Sequence, residues 1–288
     1  MTSSPIPVRV VVTGHPKLID SLVEAGAICE YLQGKGLEAT HGSLYDAKLR
    51  RRVHAGDFDL LVAVGGDGTM LRAGHLCAPH GIPIMGVNMG RLGFLYQVDA
   101  GDWKNMIDKL LTGDYWIEKR MMLRADHIRA GEALASWQAL NDVVVCRGQL
   151  LRPIHIEVSV DEQFLTTYVA DGLIAATATG STAYGLAAGG PILPPELRNI
   201  LLVPIAPHLS VDRAVVLSEG SMVSITIMDE NTVCSVDGQI PVGLADDDRV
   251  QVRAGDNSVN FIRFDDPGYF YRNLTAHMNQ NAIIGMPR

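Results

Sequence analysis

Two hydrophobic periods divide the chain. In its first part, short apolar runs rich in β-branched residues end in glycine or asparagine: residues 8–14 (VRVVVTG), 58–66 (FDLLVAVGG) and 82–88 (IPIMGVN). Unbroken apolar runs of this length predict strands covered on both faces, as in a parallel sheet. Between the first two runs, Leu18, Leu22, Ala25 and Leu32 recur at helical spacing and predict a helix lying on one sheet face. Strand–helix alternation implies βαβ units, in which ligands bind beyond the C-terminal ends of the strands. The glycine cluster at 65–68 falls at such an end.

From about residue 115 the period shortens to two. Segments such as RPIHIEVSV, FLTTYVADGLIAATA, GSMVSITIMDENTVCSV and DRVQVRAGDNSVNFIRF alternate apolar and polar positions between Asp-Glu, Glu-Gly and Asp-Asn turns. That texture predicts an antiparallel, sandwich-like β domain. One stretch breaks it: residues 177–192 (TATGSTAYGLAAGGPI) carry small residues in a helix-like run flanked by glycine and proline. A final helix is expected around YRNLTAHMNQ. The expected organisation is an α/β parallel-sheet domain over 1–114, a β-rich domain over 115–264, and a segment over 265–288 returning toward the first. No internal repeat or low-complexity tract interrupts it.

Composition narrows the partners. The 288 residues are 47% hydrophobic and 19% charged, as in ordinary globular chains. A formal net charge of −8 with no basic tract argues against DNA or RNA. Backbone amides can nevertheless hold the phosphates of a small ligand. No apolar run reaches the roughly 18–20 residues of a membrane span, and no signal-like leader is visible, so a cytoplasmic, membrane-free protein is expected. Cys29, Cys77, Cys146 and Cys234 form no CxxC pair and read as free, mostly buried thiols rather than a metal cluster.

Several chemistries drop out. There is no GxxxxGK[ST] phosphate loop, no GxGxxG after the first strand, no GxSxG elbow and no HExxH helix. Five islands remain: GGDGT (65–69), NMGRLGFL (88–95), Asn141-Asp142 before a strand, ADGLIAATATGSTAYGLAAGGP (170–191) and SVDGQ (235–239). Each has a structural explanation. Asp67 or Thr69 could cap a helix, Asn141-Asp142 could be a turn, Ser181-Thr182 could start a helix, and VDGQ could be a hairpin turn.

Taken together and in this order, the islands resemble the NAD kinase family, over about residues 8–275. GGDGT is shared with lipid and sphingoid kinases and a phosphofructokinase-like superfamily, whereas TGSTAY with SVDGQ is far more specific. The resemblance implies transfer of the γ-phosphoryl of ATP, or of inorganic polyphosphate in some members, to the 2′-hydroxyl of the adenosine ribose of NAD. It implies Asp67 as general base, with Gly66 and Gly68 leaving room for ribose and phosphate. Asn141 and Asp142 resemble the pair holding adenosine, and Thr179, Thr182, Ala183 and Tyr184 the adenine and ribose contacts, continued by Gly185, Leu186 and Ala187. Asp171, Ala206, His208 and Gln239 resemble further nucleotide contacts, some made across subunits of a homodimer or homotetramer. Arg72 and Arg152 are candidates to neutralise phosphate or to lie solvated at the surface. Mg2+ would accompany ATP, with no dedicated protein metal site. Four positions depart from the family pattern: Asp142 where glutamate is common, Ala178 for proline, Gly185 for serine, and Val169 for a basic residue in some relatives. A lipid kinase and a non-catalytic NAD or NADPH sensor are the competing readings. The first leaves TGSTAY and SVDGQ unexplained, and turnover decides the second.

Overall fold

The computed structural model describes residues 6–90, 93–149, 152–208 and 211–280, with side chains to residue 275. Within these, the chain divides into two units: one takes the chain up to Lys119 and again from Val259, the other Arg120–Ser258. The first unit begins β1 (Arg9–Gly14), α1 (Ile19–Gly34), β2 (Glu38–Ser43), α2 (Ala47–His54), β3 (Leu60–Gly65), α3 (Asp67–Cys77), β4 (Ile84–Asn88), β5 (Val98–Asp99) and α4 (Trp103–Leu111). Its strands pair in parallel in the order β4-β3-β1-β2, with Val12 opposite both His41 and Val62, and Val62 opposite Met85.

All six residues of β3 are buried, which is what an unbroken apolar run requires of a strand covered on both faces. On α1 the buried stripe is Ser21, Ala25, Ile28, Cys29 and Leu32, while Leu18 precedes the helix and stays exposed. The stripe is thus rotated from the one the leucines predicted. Ser21 replaces Leu22 in it because its hydroxyl closes the β1–α1 turn, accepting the His15 N–H at 2.9 Å and donating to Leu18 O at 2.8 Å. The Asp46 carboxylate caps α2 by accepting the Lys48 N–H at 2.7 Å, and Arg51, Arg52 and His54 occupy its negative C-terminal end.

The chain continues through β6 (Trp116–Arg129), β7 (Glu132–Ala139), β8 (Asp142–Arg147), β9 (Ile154–Val160), β10 (Gln163–Ala170), β11 (Gly172–Ala176), the one-turn α5 (Tyr184–Ala187), β12 (Asn199–Ile205), β13 (Val215–Ser218), β14 (Val223–Ile227), β15 (Thr232–Val236), β16 (Val242–Leu244), β17 (Arg249–Arg263) and α6 (Tyr269–Gln280). In the second unit, β10-β9-β14-β17 and β13-β12-β11-β8-β15-β16 form two antiparallel arrays. Alternate residues of both, among them Ile156, Val158, Ile225 and Val250 on one side and Val143, Val145, Leu173 and Leu202 on the other, fill one shared core. This is the sandwich expected of period-two patterning. The opposite face of the second array (Val144, Ile174, Ala176, Leu201, Val203) is covered by Ala188 and Leu193 from the glycine- and proline-rich stretch. That covering role explains why small residues interrupt the strand pattern there.

In the first unit, the late part of β17 adds alongside β4, with Phe261 opposite Ile84. The buried Arg263 guanidinium donates to Glu118 at 2.7 Å and to Leu95 O at 3.0 Å. The expected final helix is α6; the tail beyond residue 280 lies outside the described residues. No helix among the described residues is long and apolar enough to cross a membrane. The four cysteines are unbridged, three of them buried, and burial raises the Cys77 and Cys234 thiols, the latter to about 12.

Candidate functional site

In the first unit the candidate chemistry sits at the C-terminal end of β3. Gly66 is the N-cap of α3 and makes no side-chain cap bond, so neither Asp67 nor Thr69 serves as the cap. Asp67 is instead the first helical residue, exposed where the positive end of the helix dipole favours a carboxylate. The turn is held from behind: the buried Tyr96 hydroxyl donates to Gly66 O at 2.7 Å, and the Met89 N–H donates to Gly65 O at 3.0 Å. Burial, then the Asp67 charge, drives the Tyr96 phenol far upward, so it stays a neutral donor.

The glycines of this turn differ in purpose. A methyl group on Gly65 would strike the Thr69 side chain, whereas one on Gly66 or Gly68 would meet no atom within 4 Å. Nothing in the protein's own packing demands glycine at those two positions, which leaves open space beside Asp67. On the other side, a methyl on Gly93 would overlap the Asp67 carboxylate itself. Gly93 belongs to the 88–95 island, whose Asn88 is buried and brackets Gly90, donating to its carbonyl at 3.1 Å and accepting its N–H at 3.2 Å. Residues 91 and 92 of that island lie outside the described residues. Arg72 is exposed, with its guanidinium 4.8 Å from the Tyr45 ring centre.

In the second unit three islands converge. The Asn141 carbonyl accepts the Thr177 N–H at 2.9 Å, the buried Thr177 hydroxyl donates to Leu140 O at 2.5 Å, and the same hydroxyl accepts the Gly180 N–H at 3.0 Å. A methyl on Gly180 would strike the Asn141 carbonyl, so glycine is obligatory at that contact. Ser181 is buried and spans the stretch, donating to Ala178 O at 2.6 Å and accepting the Leu193 N–H at 2.9 Å. The hydroxyls of Thr177 and Ser181 therefore hold the loop itself. Thr179 is buried, Thr182 and Ala183 are half-buried, and Tyr184 opens α5 with its side chain exposed. Gly185, Leu186 and Ala187 complete that turn.

Asp142 is buried at 5% exposure, accepts the Tyr184 backbone N–H, and titrates near 7 because burial and then the Asp237 charge raise it. VDGQ is indeed a hairpin turn: Asp237 and Gly238 both have positive φ (47° and 65°), and the Gln239 N–H closes on Val236 O at 3.0 Å between β15 and β16. It is more than a turn, because the Asp237 carboxylate accepts the backbone N–H groups of Leu140, Asn141 and Asp142. Gln239 itself is exposed.

The remaining sequence candidates flank this cluster or lie elsewhere. Asp171 pairs with Arg147 at 3.0 Å, and after burial and Cys146 its charge contributes to raising the Tyr184 phenol. Ala206, at φ 46°, and His208 are exposed, and the His208 N–H returns to Val169 O at 2.7 Å. Arg152 is exposed at a separate cavity of about 450 Å3 shared with Arg147, His155 and Asp229. Gly93, Thr177 and Asp237 fall within the sequence islands, but their individual roles against Asp67, Leu140 and the Asn141 segment were not legible there; Tyr96 lies outside every island and carried no local signal.

Comparison with known proteins gives a consistent result. Residues 12–115 match the ATP-NAD kinase N-terminal domain and residues 140–264 the ATP-NAD kinase C-terminal domain. The chain is 37% identical over 275 residues to the NAD kinase of Chloroflexus aurantiacus, covering 95% of this chain and 99% of that one. It is 44% identical over 235 residues to the NAD kinase of Heliobacterium modesticaldum, covering 81% and 82%. In structure it is similar to an Archaeoglobus fulgidus NAD kinase solved with ATP, at TM-score 0.76 and 25% identity, over 94% of this chain and 99% of that one. The fold is also that of yeast NADH kinase solved with NADH, at TM-score 0.83 and 24% identity, over 98% and 91%. The matches to both NAD kinase domains and the relatives 37% and 44% identical over most of the chain place this chain in the NAD kinase family of phosphotransferases.

Proposed function

We propose that the chain transfers the γ-phosphoryl group of ATP to the 2′-hydroxyl of the adenosine ribose of NAD, giving NADP and ADP, with Asp67 as general base. The observation that carries this reading is the Asp67 carboxylate, exposed at the end of a buried parallel strand with open space on its glycine side. A ribose hydroxyl is a weak nucleophile at neutral pH. Asp67 accepts its proton as the bond from the ribose oxygen to phosphorus forms and the bond from phosphorus to ADP breaks. The N-terminal end of α3, at Asp67 and Gly68, carries the positive end of the helix dipole and offsets phosphate charge.

In the second unit Asn141 and Asp142 hold the adenosine, while Thr179, Thr182, Ala183 and Tyr184 face its ring and ribose, continued by Gly185, Leu186 and Ala187. Asp171, Ala206, His208 and Gln239 add contacts in a homodimer or homotetramer, and the exposure of the last three supports that reading. Arg72 and Arg152 answer phosphate charge. Among the described residues no three His, Cys, Asp or Glu side chains gather into a metal cage. Magnesium would accompany ATP, held mainly by its phosphates, where it would supply charge neutralisation.

The test is NADP formation from NAD, ATP and magnesium, read with an NADP-specific dehydrogenase. Asp67→Asn should lose about 100- to 10,000-fold in rate; equal rates would remove Asp67 from the base role. Binding of NAD without turnover by the unchanged protein would favour the sensor reading. Polyphosphate in place of ATP decides donor range, and light scattering on the active species decides the oligomer.

A further inference from the structure

We propose that Asp237 is a positioning residue for NAD: its carboxylate fills the concave nest made by three successive backbone N–H groups and so fixes the Asn141-Asp142 pair that faces the nucleotide. This inference rests on the reading of Asn141 and Asp142 given above. The Leu140, Asn141 and Asp142 N–H groups approach Asp237 at 2.7, 2.8 and 2.9 Å, the first to Oδ2 and the others to Oδ1. The contact is reciprocal, since the Asp237 N–H donates to Asp142 O at 2.9 Å. Three convergent amides form an anion-binding concavity, and here the anion comes from the protein itself.

A turn alone does not need this residue. At two consecutive positive-φ positions Asn-Gly and Gly-Gly serve as well as Asp-Gly. Only a carboxylate offers two acceptor oxygens to three donors, and an asparagine would turn an NH2 group toward an N–H. The amides so held belong to a segment whose other side is fixed by the Thr177 hydroxyl on Leu140 O and the close approach of Gly180 to Asn141. Asn141 is thus gripped from both sides, and the VDGQ turn provides one of the two grips.

The experiment uses Asp237→Asn and Asp237→Gly, both of which keep the turn. Steady-state kinetics should show KM for NAD raised about 10- to 100-fold, in line with the cost of small misplacements in an active site, while KM for ATP moves less than about 2-fold. In the same variants amide exchange at Asn141 should speed up while β8 from Val144 onward stays protected. An unchanged KM for NAD overturns the proposal. So does a parallel rise in both KM values, which is what a merely structural role produces. If the unchanged protein makes no NADP, the kinase reading fails separately, and calorimetric NAD affinity of the same variants takes the place of KM. If neither variant folds, exchange in the unchanged protein decides: an Asn141 amide exchanging as fast as an exposed loop overturns the proposal.

Discussion

Replacing Asp142 by asparagine should stabilise the protein, and by an amount that grows with pH. The Asp142 carboxyl is buried beside the Asp237 carboxylate and titrates near 7 in the fold, against a reference value of 3.8. Below about pH 4 both folded and unfolded chains carry the proton, and the site costs nothing. Between about 4 and 7 the unfolded chain has released its proton while the folded one keeps it, so stability falls as pH rises. Above 7 both forms are ionised and the full penalty is present. A displacement of about three pKa steps corresponds to roughly 4 kcal/mol, an upper bound because relaxation around Asp237 takes up part of it.

Asparagine has the same size, carries no charge, and keeps an oxygen to accept the Tyr184 N–H. The variant should match the parent near pH 4 and exceed it by about 2–4 kcal/mol at pH 8. For a chain of this size that is a melting shift on the order of 4–16 °C. Thermal unfolding of both proteins at pH 4.5, 6, 7 and 8 reads this directly. A difference that stays constant with pH, or shrinks as pH rises, would refute the assignment of the raised group to Asp142. A buried acid retained at such a cost needs a use, so the stabilised variant should also bind NAD more weakly.

Two other substitutions probe different parts of the molecule. Gly93→Ala places a methyl where the Asp67 carboxylate lies, so kcat should fall about 100-fold with a melting temperature close to the parent's; retained kcat in the enzyme assay would mean that Asp67 works from another position. Asp248, fully buried, accepts from His127 at 2.7 Å, Arg129 at 2.7 and 2.8 Å and the Ala245 N–H at 2.8 Å, with Arg129 the largest cause of its strongly lowered pKa. Asp248→Asn should cost about 3 kcal/mol at pH 7 and less as pH falls below 4, where the parent's own carboxylate begins to lose its advantage; denaturant melts showing a pH-independent loss would contradict this.

The parts of the fold legible in the sequence are those where one physical requirement dominates. β1, β3 and β4 show as β-branched runs because both faces are covered, and β9, β14 and β15 of the sandwich show as period-two alternation because only one face is, whereas β11 and β12 are buried on both. β2 was illegible: Glu-Ala-Thr-His-Gly-Ser is an edge strand with one buried residue, so no apolar pattern marks it. The rotation of the α1 stripe was hidden because Ser21 is buried for its hydroxyl rather than for hydrophobicity. At the candidate site the same division holds. GGDGT and TGSTAY stand out because dense glycine and hydroxyl residues have few other uses. Gly93 against Asp67, Tyr96 beneath Gly66 and Asp237 under Asn141 are long-range pairings, and each partner taken alone resembles an ordinary loop residue, core aromatic or turn. Arg72 on Tyr45 is likewise a contact that no local pattern announces.

The discontinuity of the first unit has a consequence for synthesis. Phe261 of β17 pairs with Ile84 of β4, so the N-terminal part of β4 gains this neighbour only after the whole β sandwich has been translated. At about 5–20 residues per second the wait is on the order of 10–35 seconds. Throughout it, a nascent parallel sheet is tethered to the ribosome with a strand at its margin that the finished fold buries completely. The sandwich, encoded in one uninterrupted stretch, has no such dependence and can complete itself first. The order in which the ribosome releases the chain thus favours the second unit maturing before the half that carries Asp67.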